Sequence, residues 1–299
     1  MYKGVIEFLI ENNIKFWENS NIASLNSLEI GCIARLVVFP SEIDSFCSVL
    51  HYLYKSNLKF HVIGGATNIV FPKNYDGVIV SSKNLNKIAI NENFLTALCG
   101  SKVTDCAICA MENSLSGLEF LCGIPGSIGG AVYMNASAFD KSVSNVACES
   151  LVFDLERNEK ILLRSDEHKF ETKKSVFREC ENLVLLYTKF SLQKSKREYI
   201  RSKMRHFSLK RITSQPLDLG SAGSAFKRPI GAYASKLIDE AGLKGMRVGE
   251  ATVSEKHAGF IVNLGNATSK EIKLLIDTIK RRVFDGFGIT LDEEIIFIE

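Results

Sequence analysis

The sequence predicts a mixed α+β protein built from three compact lobes, and three observations support this prediction. The 299 residues are 46% hydrophobic and 24% charged, so the chain can bury a sizeable core. Short apolar strands alternate with amphipathic helices along the chain. The sequence contains neither an internal repeat nor a low-complexity segment. We place the three lobes at residues 1–83, 84–204 and 205–299.

Composition and charge argue against several classes of partner. Lys and Arg number 37 against 34 Asp and Glu, and this net charge of +3 is too small to indicate a nucleic-acid surface or a polybasic membrane anchor. No apolar stretch reaches membrane-spanning length, and the N-terminal segment resembles an amphipathic helix and not a signal peptide. We therefore expect a cytoplasmic protein with no nucleic-acid or membrane partner.

The eight cysteines are scattered through apolar surroundings, which favours a reducing compartment over a disulfide framework. Cys106 and Cys109 form a CxxC within a helical pattern, but no second CxxC or histidine pair lies at metal spacing. The pattern favours two buried helix cysteines and no metal site.

In the first two lobes the pattern predicts a strand at 34–39, a helix at 41–55 and a strand at 59–63. Ser41 is the expected cap of this helix, with Asp44 three residues later. Further strands are predicted at 78–80, 87–90, 94–98, 150–154, 160–163 and 182–192, and a charged helix at 194–211 is expected to join two domains.

The last lobe shows the element order of a βαβ-like unit. A helix is predicted at 232–241, strands at 249–253 and 259–262, and a long helix at 269–284. A final strand at 294–298 is expected to fold back toward the second lobe.

Two glycine-rich loops are the most informative segments. Gly123–Asn135 combines four glycines with small neighbours, so its backbone N–H groups could approach an anionic ligand such as a diphosphate. Its spacing matches neither the dinucleotide fingerprint nor the Walker motif, and tight turns between strands are an equally good interpretation of this segment alone. Gly64–Asn68 follows a buried strand and offers a second anion-friendly loop. Two such loops suggest one long ligand.

At these residues the chain resembles the UDP-N-acetylenolpyruvoylglucosamine reductases of the shorter type. GGATN (Gly64 to Asn68) is similar to the family's GGGSN, and GIPGSIGGAVYMNA (Gly123 to Ala136) to its GIPGxxGGAxxMNA. Near the C-terminus, GSAGSAFKRPIGAYASKLIDEAGLKG (Gly220 to Gly245) and VSEKHAGFIVN (Val253 to Asn263) resemble two further family blocks. The resemblance implies an FAD-binding fold of the p-cresol methylhydroxylase and vanillyl-alcohol oxidase type, followed by a C-terminal α/β substrate lobe.

The resemblance also implies an activity. NADPH would pass a hydride to FAD, and flavin N5 would pass it to the double bond of UDP-N-acetylglucosamine enolpyruvate. Protonation of the adjacent carbon would give UDP-N-acetylmuramate for peptidoglycan. The expected partner is therefore a small-molecule UDP-sugar, and we expect the chain to act as a monomer.

Site residues follow from the matched motifs. Ser224 falls on the family's proton-donor serine and Glu294 on its C-terminal catalytic glutamate, although a turn serine and a strand-edge charge are the ordinary interpretations of these residues. Arg211, Lys227 and Arg228 could pair with the diphosphate of a UDP-sugar. The residues expected to contact FAD are Gly64, Gly65, Ala66, Thr67, Asn68, Gly123, Ile124, Pro125, Gly126, Ser127, Gly129, Gly130 and Ala131.

One family element is changed. The family carries FxYRxSxF, whose arginine would hold the substrate carboxylate, whereas this chain has Thr172 and Lys173 at the Tyr-Arg positions. A lysine supplies charge without the two-point grip of a guanidinium. Lys173 is therefore either a partial substitute or part of a solvated loop. Two alternatives follow: a non-catalytic binder of FAD or UDP-sugar, and a flavoprotein oxidase of the same fold.

Overall fold

The structure, a computed structural model, describes residues 2–299. The α-helices are α1 (Tyr2–Glu11), α2 (Ile43–Lys55), α3 (Val103–Glu112), α4 (Ile128–Tyr133), α5 (Arg197–Ser214), α6 (Ala234–Glu240) and α7 (Ser269–Phe287). The strands are β1 (Lys15–Asn21), β2 (Ile33–Phe39), β3 (Phe60–Ile63), β4 (Ile69–Val70), β5 (Asn74–Ser81), β6 (Ile88–Asn91), β7 (Phe94–Leu98), β8 (Leu115–Ser116), β9 (Ser137–Ala138), β10 (Lys141–Ser142), β11 (Ala147–Asp154), β12 (Glu159–Arg164), β13 (Leu183–Ser191), β14 (Gln193–Lys194), β15 (Gly220–Ser224), β16 (Arg247–Val248), β17 (Ala251–Val253), β18 (Phe260–Asn263) and β19 (Ile296–Phe297). Short 3-10 helices lie at Ala23–Leu25, Glu119–Leu121, Val143–Asn145, Ser165–His168 and Val176–Arg178.

The chain divides into two compact units, each assembled from separate stretches of sequence. Unit 1 contains the described residues through Glu18, together with Leu36–Gly65 and Asp76–Leu209. Unit 2 contains Asn19–Arg35, Ala66–Tyr75 and Lys210–Glu299. The three-lobe division at residues 83 and 204 stays a prediction.

Unit 1 is organised around a five-stranded antiparallel sheet in the order β12-β11-β13-β7-β6. Every second side chain of β13 faces the core, since Leu186, Thr188 and Phe190 are fully buried. Helix α4 packs on this strand. A second sheet has the order β1-β2-β5-β3, with β3 and β5 parallel. These two sheets position the glycine-rich loops, because one loop follows β3 and the other leads into α4.

Unit 2 has a four-stranded sheet in the order β15-β18-β17-β16, covered by α7. Helix α7 begins with a reciprocal cap: Thr268 Oγ1 accepts from the N–H of Glu271 at 3.2 Å, and the Glu271 carboxylate accepts from the N–H of Thr268 at 2.8 Å. The helix ends at Gly288, whose φ is +67°. Its buried side chains recur at helical spacing and face the sheet core: Ile272, Leu275, Ile276, Ile279 and Val283.

The mixed α+β class and most predicted elements are confirmed, with three corrections. Helix α2 begins at Ile43 and not at Ser41, because Ser45 Oγ satisfies the N–H of Glu42 at 3.3 Å and so fixes Glu42 as the cap. The glycine-rich segment contains α4, which was not predicted as a helix. The predicted βαβ-like order is present, but its strands pair antiparallel. The last strand, β19, pairs in parallel with β4, and its expected approach to residues 84–204 stays a prediction.

None of the helices formed by residues 2–299 combines the length and apolar character that a membrane crossing requires. All eight cysteines are free thiols. Burial raises the pKa of Cys106 to about 12, so the thiol of the CxxC helix is protonated near neutral pH. Among the described residues, no group of three or more His, Cys, Asp or Glu is placed to hold a metal ion.

Candidate functional site

The two glycine-rich loops meet in unit 1, where Gly64 faces Ser127. Gly64 directly follows β3, and Ser127 caps α4 by accepting a hydrogen bond from the N–H of Gly130 at 3.3 Å. A Cβ atom at Gly64 would lie only 2.8 Å from the Cβ of Ser127. Glycine is therefore required at this position, and the two loops form one continuous surface.

This surface presents unpaired backbone donors. Across residues 2–299, no group accepts a hydrogen bond from the main-chain N–H of Gly64, Gly65 or Gly126. Backbone N–H groups are strong donors that require a partner, and a cluster of them beside small residues suits an anion. The loops therefore fit the diphosphate of FAD, as the sequence predicts.

The second loop is held rigidly against the sheet of unit 1. The N–H of Ile128 donates to Ser101 O at 2.8 Å, and the N–H of Gly129 donates to Cys99 O at 2.7 Å. A Cβ at Gly129 would meet Cys99 O at 3.0 Å, a contact tighter than real Cβ atoms normally make. Helix α4 thus begins at a fixed distance from the end of β7.

The first loop contains a residue with a strained backbone conformation. It runs from unit 1 into unit 2 between Gly65 and Ala66. Ala66 has a φ of +44°, in the left-handed region that favours glycine, and glycine is the residue of the related GGGSN motif at this position. The alanine therefore adds backbone strain to a loop that is otherwise close to the family motif.

Ser224 ends β15 in unit 2 and is exposed. The register of β15 with β18 shifts between Ser221 and Ser224, and Gly223 adopts a φ of +74° at this bulge. The bulge turns the strand just before Ser224, which pairs with Phe260. Ser224 therefore lies in a bulged strand and not in the turn that was its ordinary interpretation.

Residues 225–227 run antiparallel to residues 292–294. The N–H of Glu294 donates to Ala225 O at 2.9 Å, and the N–H of Lys227 donates to Asp292 O at 2.8 Å. The expected approach of Glu294 to Ser224 is therefore present in the main chain, since Ala225 is the next residue after Ser224. The side-chain roles of both residues stay predictions.

Two adjacent glutamates on this segment have different surroundings. Glu293 accepts hydrogen bonds from Lys273 at 2.9 Å and from Lys280 at 3.1 Å. Burial raises the pKa of Glu293, but the hydrogen bonds and charges of the two lysines outweigh burial and hold this pKa below its ordinary value. Glu293 is thus held by α7, whereas the main chain of Glu294 pairs with Ala225.

The first loop also contacts the Glu294 segment within unit 2. Asn68 Nδ2 donates to Glu294 O at 2.9 Å, and the N–H of Ile296 donates to Asn68 O at 2.9 Å. Strand β19 continues this pairing alongside β4. Asn68, which is expected to contact FAD, therefore holds the backbone of Glu294, which is expected to be catalytic.

Lys173 occupies a tight turn in unit 1. Glu171 and Lys174 exchange main-chain hydrogen bonds of 3.0 and 3.3 Å, which places Thr172 and Lys173 at the tip. Lys173 is half-buried with a φ of +59°. The neighbouring Lys174 forms ion pairs with Glu179 at 2.5 Å and with Glu171 at 3.9 Å. Within this turn Lys174 is therefore engaged by two carboxylates.

The three cations expected to bind the UDP diphosphate lie in unit 2 and differ in exposure. Arg211 is buried within α5. Lys227 is half-buried beside the 292–294 segment, and exposed Arg228 lies with its guanidinium carbon 3.9 Å from the ring centre of Tyr233. Their binding role stays a prediction.

Sequence reasoning missed a buried polar network behind the Lys173 turn. His168 Nδ1 lies 2.8 Å from Arg164 O and must donate to it, so Nε2 accepts from Ser150 Oγ at 2.8 Å. Ser150 Oγ lies 2.8 Å from Thr188 Oγ1, and all three side chains are fully buried. The imidazole stacks on Phe170, one residue before the turn, with ring centres 4.9 Å apart. No sequence motif marks these residues, because strands 38 residues apart bring them together.

Known proteins resemble both halves of the chain. A family model described as an FAD binding domain matches residues 34–154, and one described as the C-terminal domain of UDP-N-acetylenolpyruvoylglucosamine reductase matches residues 215–298. The first range contains both glycine-rich loops, and the second contains Ser224 and Glu294.

Whole-chain similarity is equally clear. The UDP-N-acetylenolpyruvoylglucosamine reductase of Caldicellulosiruptor saccharolyticus is 40% identical over 289 residues, which cover 96% of this chain and 93% of the relative. The reductase of the same name from Petrotoga mobilis is 38% identical over 286 residues, covering 93% and 92%. The crystal structure of UDP-N-acetylenolpyruvylglucosamine reductase from Thermus caldophilus aligns with a TM-score of 0.80 at 26% identity, covering 96% of this chain and 99% of that one.

Proposed function

Because the chain belongs to the UDP-N-acetylenolpyruvoylglucosamine reductases, which are FAD-dependent oxidoreductases, we propose how its own residues carry out that family's reaction. The reaction is the FAD-dependent reduction of enolpyruvyl UDP-N-acetylglucosamine in peptidoglycan synthesis. We propose NADPH as the hydride source. We also propose that the enzyme acts in the cytoplasm and that a single chain is the active form. The match of residues 215–298 to the reductase's own C-terminal domain disfavours an oxidase of the same fold.

Binding of FAD is assigned to the two loops that meet at Gly64 and Ser127. Their unpaired N–H groups would hold the diphosphate, and their small residues would let it approach the backbone. When bound, FAD supplies hydride transfer from NADPH to the enolpyruvyl double bond.

The substrate step requires charge stabilisation and a proton. Hydride addition to an enol ether accumulates negative charge next to the substrate carboxylate, so a fixed cation and hydrogen-bond donors lower the barrier. We assign the cation to Lys173. The hydroxyl of Ser224 donates the proton to the adjacent carbon, and we assign Glu294 as the second acid–base group of this step.

The observation that supports the acid–base assignment is the pairing of residues 225–227 with residues 292–294 in unit 2. It holds the main chains of Ser224 and Glu294 side by side. For the diphosphate of the UDP-sugar we propose Arg211, Lys227 and Arg228, because cations pair well with phosphate oxygens.

The experiment is NADPH consumption by the purified, FAD-loaded protein under anaerobic conditions, with and without UDP-N-acetylglucosamine enolpyruvate. We expect consumption that depends on the substrate, and formation of UDP-N-acetylmuramate. A yellow protein that binds the substrate without reducing it would instead support the non-catalytic binder. The Ser224→Ala variant serves as the control, since it should keep FAD and lose turnover.

A further inference from the structure

The turn that carries Lys173 is tied to the end of α4 by two side chains. Asn135 Nδ2 donates to Glu171 O at 2.9 Å, and Ser175 Oγ donates to Tyr133 O at 2.8 Å. Helix α4 starts at the second glycine-rich loop and, with six residues, is about 9 Å long. The turn is therefore anchored to the same short helix that presents the loop.

A third contact reaches Lys173 itself. Arg178 Nη1 donates to Lys173 O at 2.9 Å, while the guanidinium carbon lies 6.0 Å from the ring centre of Tyr133. The ring of Tyr133 thus lies near the guanidinium, and the hydrogen bond fixes the peptide plane that follows Lys173. A left-handed φ is uncommon for lysine, so such a conformation persists only where neighbouring groups hold it.

The surrounding charges distinguish Arg178 from Lys174, a neighbouring cation of this segment. Lys174 is neutralised by ion pairs with Glu179 and Glu171. By contrast, no carboxylate among residues 2–299 forms an ion pair with Arg178. The guanidinium contacts the backbone carbonyl of Lys173 and lies near the ring of Tyr133. Its positive charge therefore lies beside Lys173.

We propose that Arg178 is a positioning residue for Lys173: it holds the left-handed turn that directs the lysine side chain toward the substrate carboxylate. The proposal rests on the assignment of Lys173 as the carboxylate-binding cation. It explains how a lysine serves where the related motif has arginine, because a single-point cation depends more strongly on the direction of its stem than a two-point guanidinium does.

A double-mutant cycle tests the proposal in the FAD-loaded enzyme, with Arg178→Met, Lys173→Met and the two combined. We expect Arg178→Met to raise KM for the enolpyruvyl substrate about tenfold, the effect of losing one charge-assisted hydrogen bond. In the Lys173→Met background, the same change should raise KM less than twofold. The rate of flavin reduction by NADPH, followed anaerobically at the flavin absorbance band, should stay unchanged in Arg178→Met.

Two further variants control the experiment. Lys174→Met removes a cation of the same turn that is already ion-paired and should leave KM unchanged, whereas Arg178→Lys should recover part of the loss. An equal effect of Arg178→Met in both backgrounds would mean a merely structural role, and no effect in the wild-type background would also overturn the proposal. Failure of the wild-type enzyme to reduce the substrate would instead refute the proposed function, which the same assay detects separately.

Discussion

Asn68 Nδ2 lies 2.9 Å from the main-chain oxygen of Glu294, a residue 226 positions later in the chain. The contact links the loop that follows β3 to the segment that precedes β19. It means that the position of Glu294 depends on a side chain expected to lie beside the cofactor.

Replacing Asn68 with aspartate removes the amide donor at nearly constant size and sets a carboxylate oxygen against the Glu294 carbonyl. We expect turnover of the enolpyruvyl substrate to fall about tenfold, because one hydrogen bond that orients Glu294 is lost. The measurement is kcat per bound FAD, with FAD content determined from the absorbance of the released flavin. A loss of turnover matched by an equal loss of FAD would show that Asn68 serves the cofactor alone.

The adjacent carboxylates Glu293 and Glu294 form a matched pair for mutagenesis. Glu294→Gln should lower kcat by about 100- to 10,000-fold, the usual range for removing an acid–base group. Glu293→Gln should leave kcat near the wild-type value, since that carboxylate serves Lys273 and Lys280. Steady-state kinetics of the two proteins at equal FAD content checks this. Equal losses in both variants would contradict the assignment of Glu294.

Substituting arginine for Lys173 tests the role of the changed motif. If Lys173 contacts the substrate carboxylate, a guanidinium should add a second hydrogen bond and lower KM about three- to tenfold. KM for the substrate is compared with KM for NADPH, which serves as the internal control. An unchanged or higher KM would place Lys173 on the solvated loop that was its alternative interpretation.

The β9–β10 hairpin carries a local strain that can be removed. Ala138 pairs with Lys141, so the turn has two residues, Phe139 and Asp140, and both have a positive φ (+52° and +60°). This geometry favours glycine at the second position. Asp140→Gly should raise the free energy of unfolding by about 0.5–1 kcal/mol, and Asp140→Ala should lower it. Denaturant unfolding of the FAD-free protein checks both, and the same sign for the two variants would contradict the argument.

Burial of His168 makes the stability of the folded protein depend on pH. Desolvation lowers the pKa of this imidazole below 6.5, and the hydrogen bonds and charges that favour protonation do not fully offset it. The folded state therefore binds fewer protons than the unfolded state, so stability is fully present above pH 6.5 and is lost as pH falls toward the folded-state pKa.

The check for His168 is the free energy of unfolding between pH 8 and pH 5. One such group contributes a slope of at most about 1.4 kcal/mol per pH unit. The His168→Gln variant should lose that part of the slope, while the contributions of His61 and His257, whose pKa values burial also lowers, remain in both proteins. Identical slopes in the two proteins would contradict the argument.

Local patterns were sufficient to predict the long elements and the two glycine-rich loops. The apolar spacing of Ile272, Leu275 and Ile279 defines one face of α7, and the small residues around Gly64 and Gly126 mark where backbone donors are exposed. These features depend on neighbours within a few residues.

Features set by distant contacts could not be predicted in this way. The cap of α2 is Glu42 and not the expected Ser41, because the N–H of Glu42 finds its acceptor in Ser45 Oγ. The partner of β19 is a strand more than 200 residues earlier, and no local pattern encodes it. Arg178 was likewise overlooked, because its importance lies in one carbonyl contact that only the folded turn creates.

Unit 2 is assembled from three stretches of the chain, and this has a consequence for dissecting the protein. Leu28, Ile30 and Val70 lie in the same buried cluster as Leu275 and Ile276, and Asn263 Nδ2 donates to Leu28 O at 2.7 Å. A fragment expressed from residue 210 onward would lack these partners and expose an unfilled core. Formation of this unit during folding must also await loop closures of more than 200 residues, which makes it a slow, late-assembling part of the molecule.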